Sequence, residues 1–189
     1  AGDGTSLFNY GAWVGLGHER YGDLRLGRQY TIGKTYGNAL EIASWKEMGM
    51  GATFKASDNY QFSNMVNYYS PEWSGFQAGI GYSFDAEAQD QFRTNQNNRA
   101  VSLGLKYEDG PLLAVATWDQ LRLAAPPAGS SGRPQAVQLG VSYDFEVTKL
   151  SLAWSRQRNG YVGLDGGDPD NLGLGLGPAG FVEGGTADA

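Results

Sequence analysis

The chain has 189 residues and a formal net charge of −6, enough for one domain of about 100–200 residues with a substantial core. No basic stripe or tract stands out, which argues against nucleic-acid binding, and the absence of cysteine excludes disulfide frameworks and thiolate metal sites. The 29 glycines and 13% aromatics come with a mean hydropathy of −0.41, and no apolar run reaches the roughly 18 residues of a membrane helix.

Along the chain, apolar and polar residues alternate. NYGAWVGL (9–16) reads as a strand. In DLRLGRQYT (23–31), Leu24 and Leu26 share one face, while Asp23, Arg25, Gly27 and Gln29 share the other. A long stretch, about 32–61, follows. Within it NALEIASWKEMG (38–49) is predicted to form a short helix, with Leu40, Ala43 and Glu47 at helical spacing. NMVNYYS (64–70) reads as a strand. In SGFQAGIGYSF, Phe76, Ala78, Ile80, Tyr82 and Phe84 oppose Gln77, Gly79, Gly81 and Ser83. RAVSLGLKYE sets Val101, Leu103, Leu105 and Tyr107 against Ser102, Gly104 and Lys106. PLLAVATW aligns Leu112, Ala114, Ala116 and Trp118, but Leu113 and Val115 blur its other face. AVQLGVSYDF and KLSLAWSRQ repeat the pattern, with Leu139, Val141, Leu150, Leu152 and Trp154 opposite Gln138, Gly140, Ser142, Ser151 and Ser155. Period two is the strand signal, and helical spacing loses in each of these windows.

The polar faces are too rich in Gly, Ser, Gln, Asp and Lys for a dry core. The apolar faces are too extensive to meet water. An oily outside and a wet inside satisfy both constraints, which is the pattern of a transmembrane β-barrel. The joins alternate short and long: GHERYGD, SPEWSG, EDGP and DFEV are short, and the stretches between them are longer. Outer-membrane barrels place tight turns on the periplasmic side and long loops outside. In that frame Tyr68, Phe76, Tyr107, Tyr143 and Phe145 fall beside short joins, and Tyr30, Tyr82, Phe84, Trp118 and Trp154 beside long ones. Two interfacial girdles are expected.

NYGAWVGLGHERYGDLRLGRQYT followed by a long loop, then NMVNYYSPEWSGFQAGIGYSF and NNRAVSLGLKYEDGPLLAVATW, resembles the general diffusion porins of Gram-negative bacteria, most closely the beta-proteobacterial type. LGRQYT and the Y-S-P-x-x-x-G-F turn are the most specific pieces, and the likeness covers about Leu7 to Arg158. The resemblance implies an all-β, antiparallel, sixteen-stranded water-filled barrel in the cell outer membrane, usually trimeric, with a third loop folded inward. It implies passive diffusion of small hydrophilic solutes and ions, outer-membrane lipid as surroundings, a homotrimer for the full-length protein, no nucleic acid, no cofactor and no enzymatic step. About eight strands are visible, matching the family's fourth through eleventh. Residues 1–158 are therefore expected to be an interior portion of a porin barrel, including an inward loop at about 32–61, and 159–189 a Gly-rich extracellular loop or tail. Two alternatives stay open: a small eight-stranded outer-membrane barrel serving as adhesion or structural scaffold, and a soluble β-sandwich binding module.

Arg25 is expected to point into the lumen. Arg28 has the parity of Leu24 and Leu26, so either it lies above the lipid or Gly27 marks a bulge that turns it inward. The resemblance supports the second option, because the family places an arginine after that glycine on the wall facing the third loop. The same resemblance makes Glu41 and Glu47, among the charges Glu41, Lys46, Glu47 and Asp58 of the long stretch, the expected loop partners of Arg25 and Arg28 at the constriction. Lys106, Gln77 and Ser142 are expected to line the lumen. The single His18 has no second imidazole or thiolate with which to form a metal site, and no GxSxG frame supports a hydrolase. LGLGLG (172–177) lacks the strand-to-helix frame of a dinucleotide site, and DGGDPDN (165–171) does not match a calcium-binding loop.

Overall fold

Every period-two segment becomes a strand. The computed structural model describes residues 11–40, 61–86, 96–126, 128, 131–159 and 186–188. The strands are β1 (Ala12–His18), β2 (Gly22–Tyr30), β3 (Gln61–Tyr69), β4 (Phe76–Ser83), β5 (Arg99–Asp109), β6 (Leu112–Arg122), β7 (Gln135–Asp144), β8 (Lys149–Arg158) and the short β9 (Thr186–Asp188). They form one nine-stranded sheet whose spatial order is the chain order, each strand antiparallel to the next. Among the described residues β1 and β9 do not pair with each other. The eight longer strands are those read from the sequence. Of the stretch 159–189, only Asn159 and the three residues of β9, which pair with β8, are described.

The two faces of the sheet differ as the alternation demands. Leu103 and Val141 are 40% exposed and Leu152 is 63% exposed, whereas Ser102 is 0% and Ser142 2% exposed. A soluble sandwich would bury the leucines and turn the serines out, so that alternative fails on burial alone. Tyr68, Phe76, Tyr143 and Phe145 are exposed beside short joins, and Phe84 and Trp154 beside long ones.

The inner face is drier than its sequence suggests. After β2 the chain forms a helix, α1 (Ile32–Gly37), continued by a 3₁₀ turn over Asn38–Leu40. The helix expected over 38–49 overlaps the described residues only at that turn; the rest of it lies outside them. Ile32, Tyr36 and Leu40 form one buried cluster with Tyr69, Leu113 and Val115. This explains why Leu113 and Val115 blurred the polar face of their strand: they lie under the inward segment. Glycines on three other strands make room for it. A Cβ at Gly79 would lie 2.7 Å from Ile32 Cγ2, one at Gly104 would lie 2.6 Å from the same atom, and one at Gly140 would collide with Leu40. Each apolar side chain so covered contributes about 1.5–3 kcal/mol by transfer from water. A second inner cluster, Phe62, Met65, Ala86, Ala100, Leu121 and Ala136, joins β3, β5, β6 and β7 near the long-loop end.

Candidate functional site

The site grows out of the end of β2. Gly27 has φ +132°, a torsion that side chains rarely adopt, and a Cβ there would strike the Ala12 carbonyl. At this point the β2–β3 register slips: Gly27 pairs with Met65, but Gln29 pairs with Phe62. Arg28 thus faces two residues of β3, Ser63 and Asn64, and Asn64 takes a positive φ of 51°. This is bulge geometry, which re-aims side chains. The Gln29 amide holds it, donating to the Arg25 carbonyl at 3.0 Å.

Arg25 and Arg28 line one cavity of about 320 Å³ together with Trp13, Tyr30, Tyr69 and Thr35, the last on α1. The Arg25 guanidinium lies 4.9 Å from the Trp13 ring centre and 4.7 Å from that of Tyr69, and 3.6 Å from the Asp23 carboxylate. Stacking on aromatic rings fixes the plane of a guanidinium without neutralising it. Arg28 Nη1 donates to Ser63 Oγ at 2.8 Å. Tyr30, expected in the girdle beside the long joins, lines this cavity instead, because the bulge precedes it. Glu41 and Glu47 lie outside the described residues.

The other expected lining residues are spread along the inner wall. Gln77 Oε1 accepts from the Tyr36 hydroxyl at 3.3 Å, so it supports the inward segment. Burial, and after it the neighbouring Tyr69, raises the Tyr36 hydroxyl above the ordinary tyrosine range, which keeps it a neutral donor. Lys106 pairs in register with Gln77 and with buried Val115, and its Nζ meets Glu108 Oε2 at 2.8 Å near the short-join end. Ser142 is buried on the inner face. A second cavity of about 340 Å³ at the short joins is lined by His18, Glu19, Asp23, Glu72 and Gln77. His18 Nδ1 there accepts from the Arg20 N–H at 3.0 Å, a turn contact.

The inward segment is pinned by polar groups from successive strands. Asn67 on β3 donates from Nδ2 to the Tyr30 carbonyl at 2.8 Å. Ser102 on β5 accepts from the Ile32 N–H at 2.8 Å. Thr31 caps α1, its Oγ1 accepting from the Lys34 N–H at 3.1 Å. Sequence reasoning missed these, along with Trp13 and Tyr69 as partners of Arg25. The signal available for α1 was Thr31 followed by Ile32, Tyr36 and Leu40 at four-residue spacing.

An apolar-out sheet with a segment tucked against its inner wall is the arrangement of a pore-forming barrel, and comparison with known proteins agrees. The Gram-negative porin family model matches residues 1–179. The chain belongs to the Gram-negative porin family. An outer membrane porin protein of Bordetella pertussis is 37% identical to this porin chain over 182 residues, 88% of the chain and 47% of the relative. Outer membrane porin protein 32 of Delftia acidovorans is 31% identical over 139 residues, 69% of the chain and 39% of the relative. Among solved structures, an anion-selective porin from Comamonas acidovorans superposes with a TM-score of 0.61 at 25% identity, covering 80% of this chain and 47% of that one. The chain thus spans about half the length of the relatives it matches. Its place is the outer membrane of a Gram-negative bacterium, as the names of those relatives state for them, and its strands are wall segments of a larger porin barrel.

Proposed function

We propose that this chain forms part of an outer-membrane channel for passive diffusion of small hydrophilic solutes and ions, and that the cavity between β2 and α1 belongs to its constriction. Arg25 and Arg28 are the wall cations in this reading, and Glu41 and Glu47 the acidic partners on the inward loop. Lys106, Gln77 and Ser142 line the lumen, residues 159–189 contribute a loop on the long-loop side, and the complete barrel assembles as a homotrimer. A hydrated path lowers the barrier to a polar solute, and lining charges sort what passes. No bond need be made or broken.

The observation that carries the reading is the Arg25–Arg28 cavity on the inner face, bordered by Thr35 of the inward segment. Its two guanidiniums favour anions, the selectivity for which the Comamonas porin is named. The test is reconstitution of the full-length porin in planar bilayers across a chloride gradient. Discrete conductance steps with a reversal potential on the anion side are expected. A protein that inserts but conducts nothing would refute the channel, and a cation-side potential would refute the role given to the arginines.

A further inference from the structure

α1 starts on the inner wall with a polar arrangement that the channel reading does not use. The first N–H groups of a helix have no acceptor within it. Here those of Ile32 and Gly33 point at Ser102 Oγ, at 2.8 and 3.3 Å, and that of Lys34 at Thr31 Oγ1, at 3.1 Å. Each hydroxyl has therefore spent acceptor capacity on the helix and keeps one proton to give. Beside both lies the carboxylate of Asp119 on β6, 1% exposed and the cross-strand neighbour of Ser102. Neither of its oxygens has a hydrogen-bond partner at full bonding geometry among the described residues, and a carboxylate buried without donors is costly. The helix sits directly on it: a Cβ at Gly33 would run into the carboxylate, 2.8 Å from Asp119 Cγ.

We propose that Asp119 is a positioning residue for the aperture: it takes the protons of Ser102 and Thr31, turning both hydroxyl oxygens toward the open N–H groups of α1 and so holding the inward loop at a set distance from the wall. Asp119 touches no solute; it acts through the two hydroxyls. Gly33 is its counterpart, the residue that lets the helix approach closely enough. The inference rests on the channel reading above and adds to it the group that decides how far the inward segment stands from Arg25 and Arg28.

The experiment compares the full-length porin with Asp119→Ala, Asp119→Asn, Gly33→Ala and the Gly33→Ala/Asp119→Ala pair. Single-channel conductance and open-channel current noise are recorded in planar bilayers, and heat stability of the assembled protein is followed separately. Asp119→Ala should raise open-channel noise several-fold and shift the mean conductance. Asp119→Asn, which keeps one acceptor oxygen, should fall between it and the parent. Gly33→Ala should disturb the current much as Asp119→Ala does, and the pair should add little to either, since both break the same contact. Currents in Asp119→Ala that match the parent overturn the proposal, and so does a loss of heat stability with unchanged current. Should Asp119→Ala not assemble, Asp119→Asn and Gly33→Ala decide, and parental noise in both is equally fatal. Absence of conductance in the parent itself removes the channel reading and this inference with it, whereas a conducting parent with indifferent variants removes only this one.

Discussion

Arg25 shows what a single side chain contributes here. Its shared face with Asp23 and Gly27 was readable from parity, but its setting was not, because Trp13 and Tyr69 come from the two flanking strands. Charge and plane can be separated by substitution. Arg25→Lys keeps the charge and loses the flat, stackable group, while Arg25→Ala loses both. We expect Arg25→Ala to move the reversal potential toward neutrality and Arg25→Lys to preserve its sign with altered conductance, both measured in bilayers under a chloride gradient. Gly104 is the opposite case, a residue whose value is the absence of a side chain. Read as part of a polar face, it proves to be a seat for Ile32 and Tyr36. Gly104→Leu should cost about 1–3 kcal/mol by overpacking, or displace the inward segment and enlarge the conductance. Thermal unfolding and single-channel current distinguish those outcomes.

Among the elements, the strands were legible and α1 was not. Period two is imposed by the pleat, so each strand carries its own evidence. α1 has glycine at two of six positions, Gly33 and Gly37, each unfavourable in a helix by about 1 kcal/mol relative to alanine. Its stability comes from the cap at Thr31 and from tertiary burial of Ile32 and Tyr36. Thr31→Ala should therefore cost about 0.5–2 kcal/mol, seen as a lower melting temperature together with noisier open-channel current. The end of β2 is intermediate in legibility. Gly27 flagged an irregularity in the sequence, while the cavity shared by Arg28 and Tyr30 depends on the slip against β3.

For the whole molecule, the deciding quantity is which face meets hydrocarbon. Leu103, mid-way along β5 between Ile80 and Trp118, presents itself outward. Leu103→Arg should destabilise the assembled barrel by about 2–4 kcal/mol if it sits at the bilayer midplane, measured by unfolding in lipid vesicles. Lys106→Ala, on the inner face, should leave that stability nearly unchanged and alter conductance or selectivity instead. The opposite ranking would mean that the faces have been assigned the wrong way round.

Alternation of residue types settles the strands, their facing and the alternation of tight and long joins without any contact between distant parts of the chain, because the pleat repeats every two residues. It is also enough to show that a leucine-rich face and a serine- and glycine-rich face cannot both suit one soluble core. What the alternation cannot say is which inner residues face water and which lie under the inward segment. Gly79, Gly104 and Gly140 look alike in sequence to any wet-wall glycine, and Asp119 to any lumen carboxylate. Their surroundings arise only when β4, β5, β6 and β7 stand side by side and α1 with its 3₁₀ turn lies across them. Close packing between residues far apart in the chain leaves no periodic mark, so that part of the molecule is decided in three dimensions.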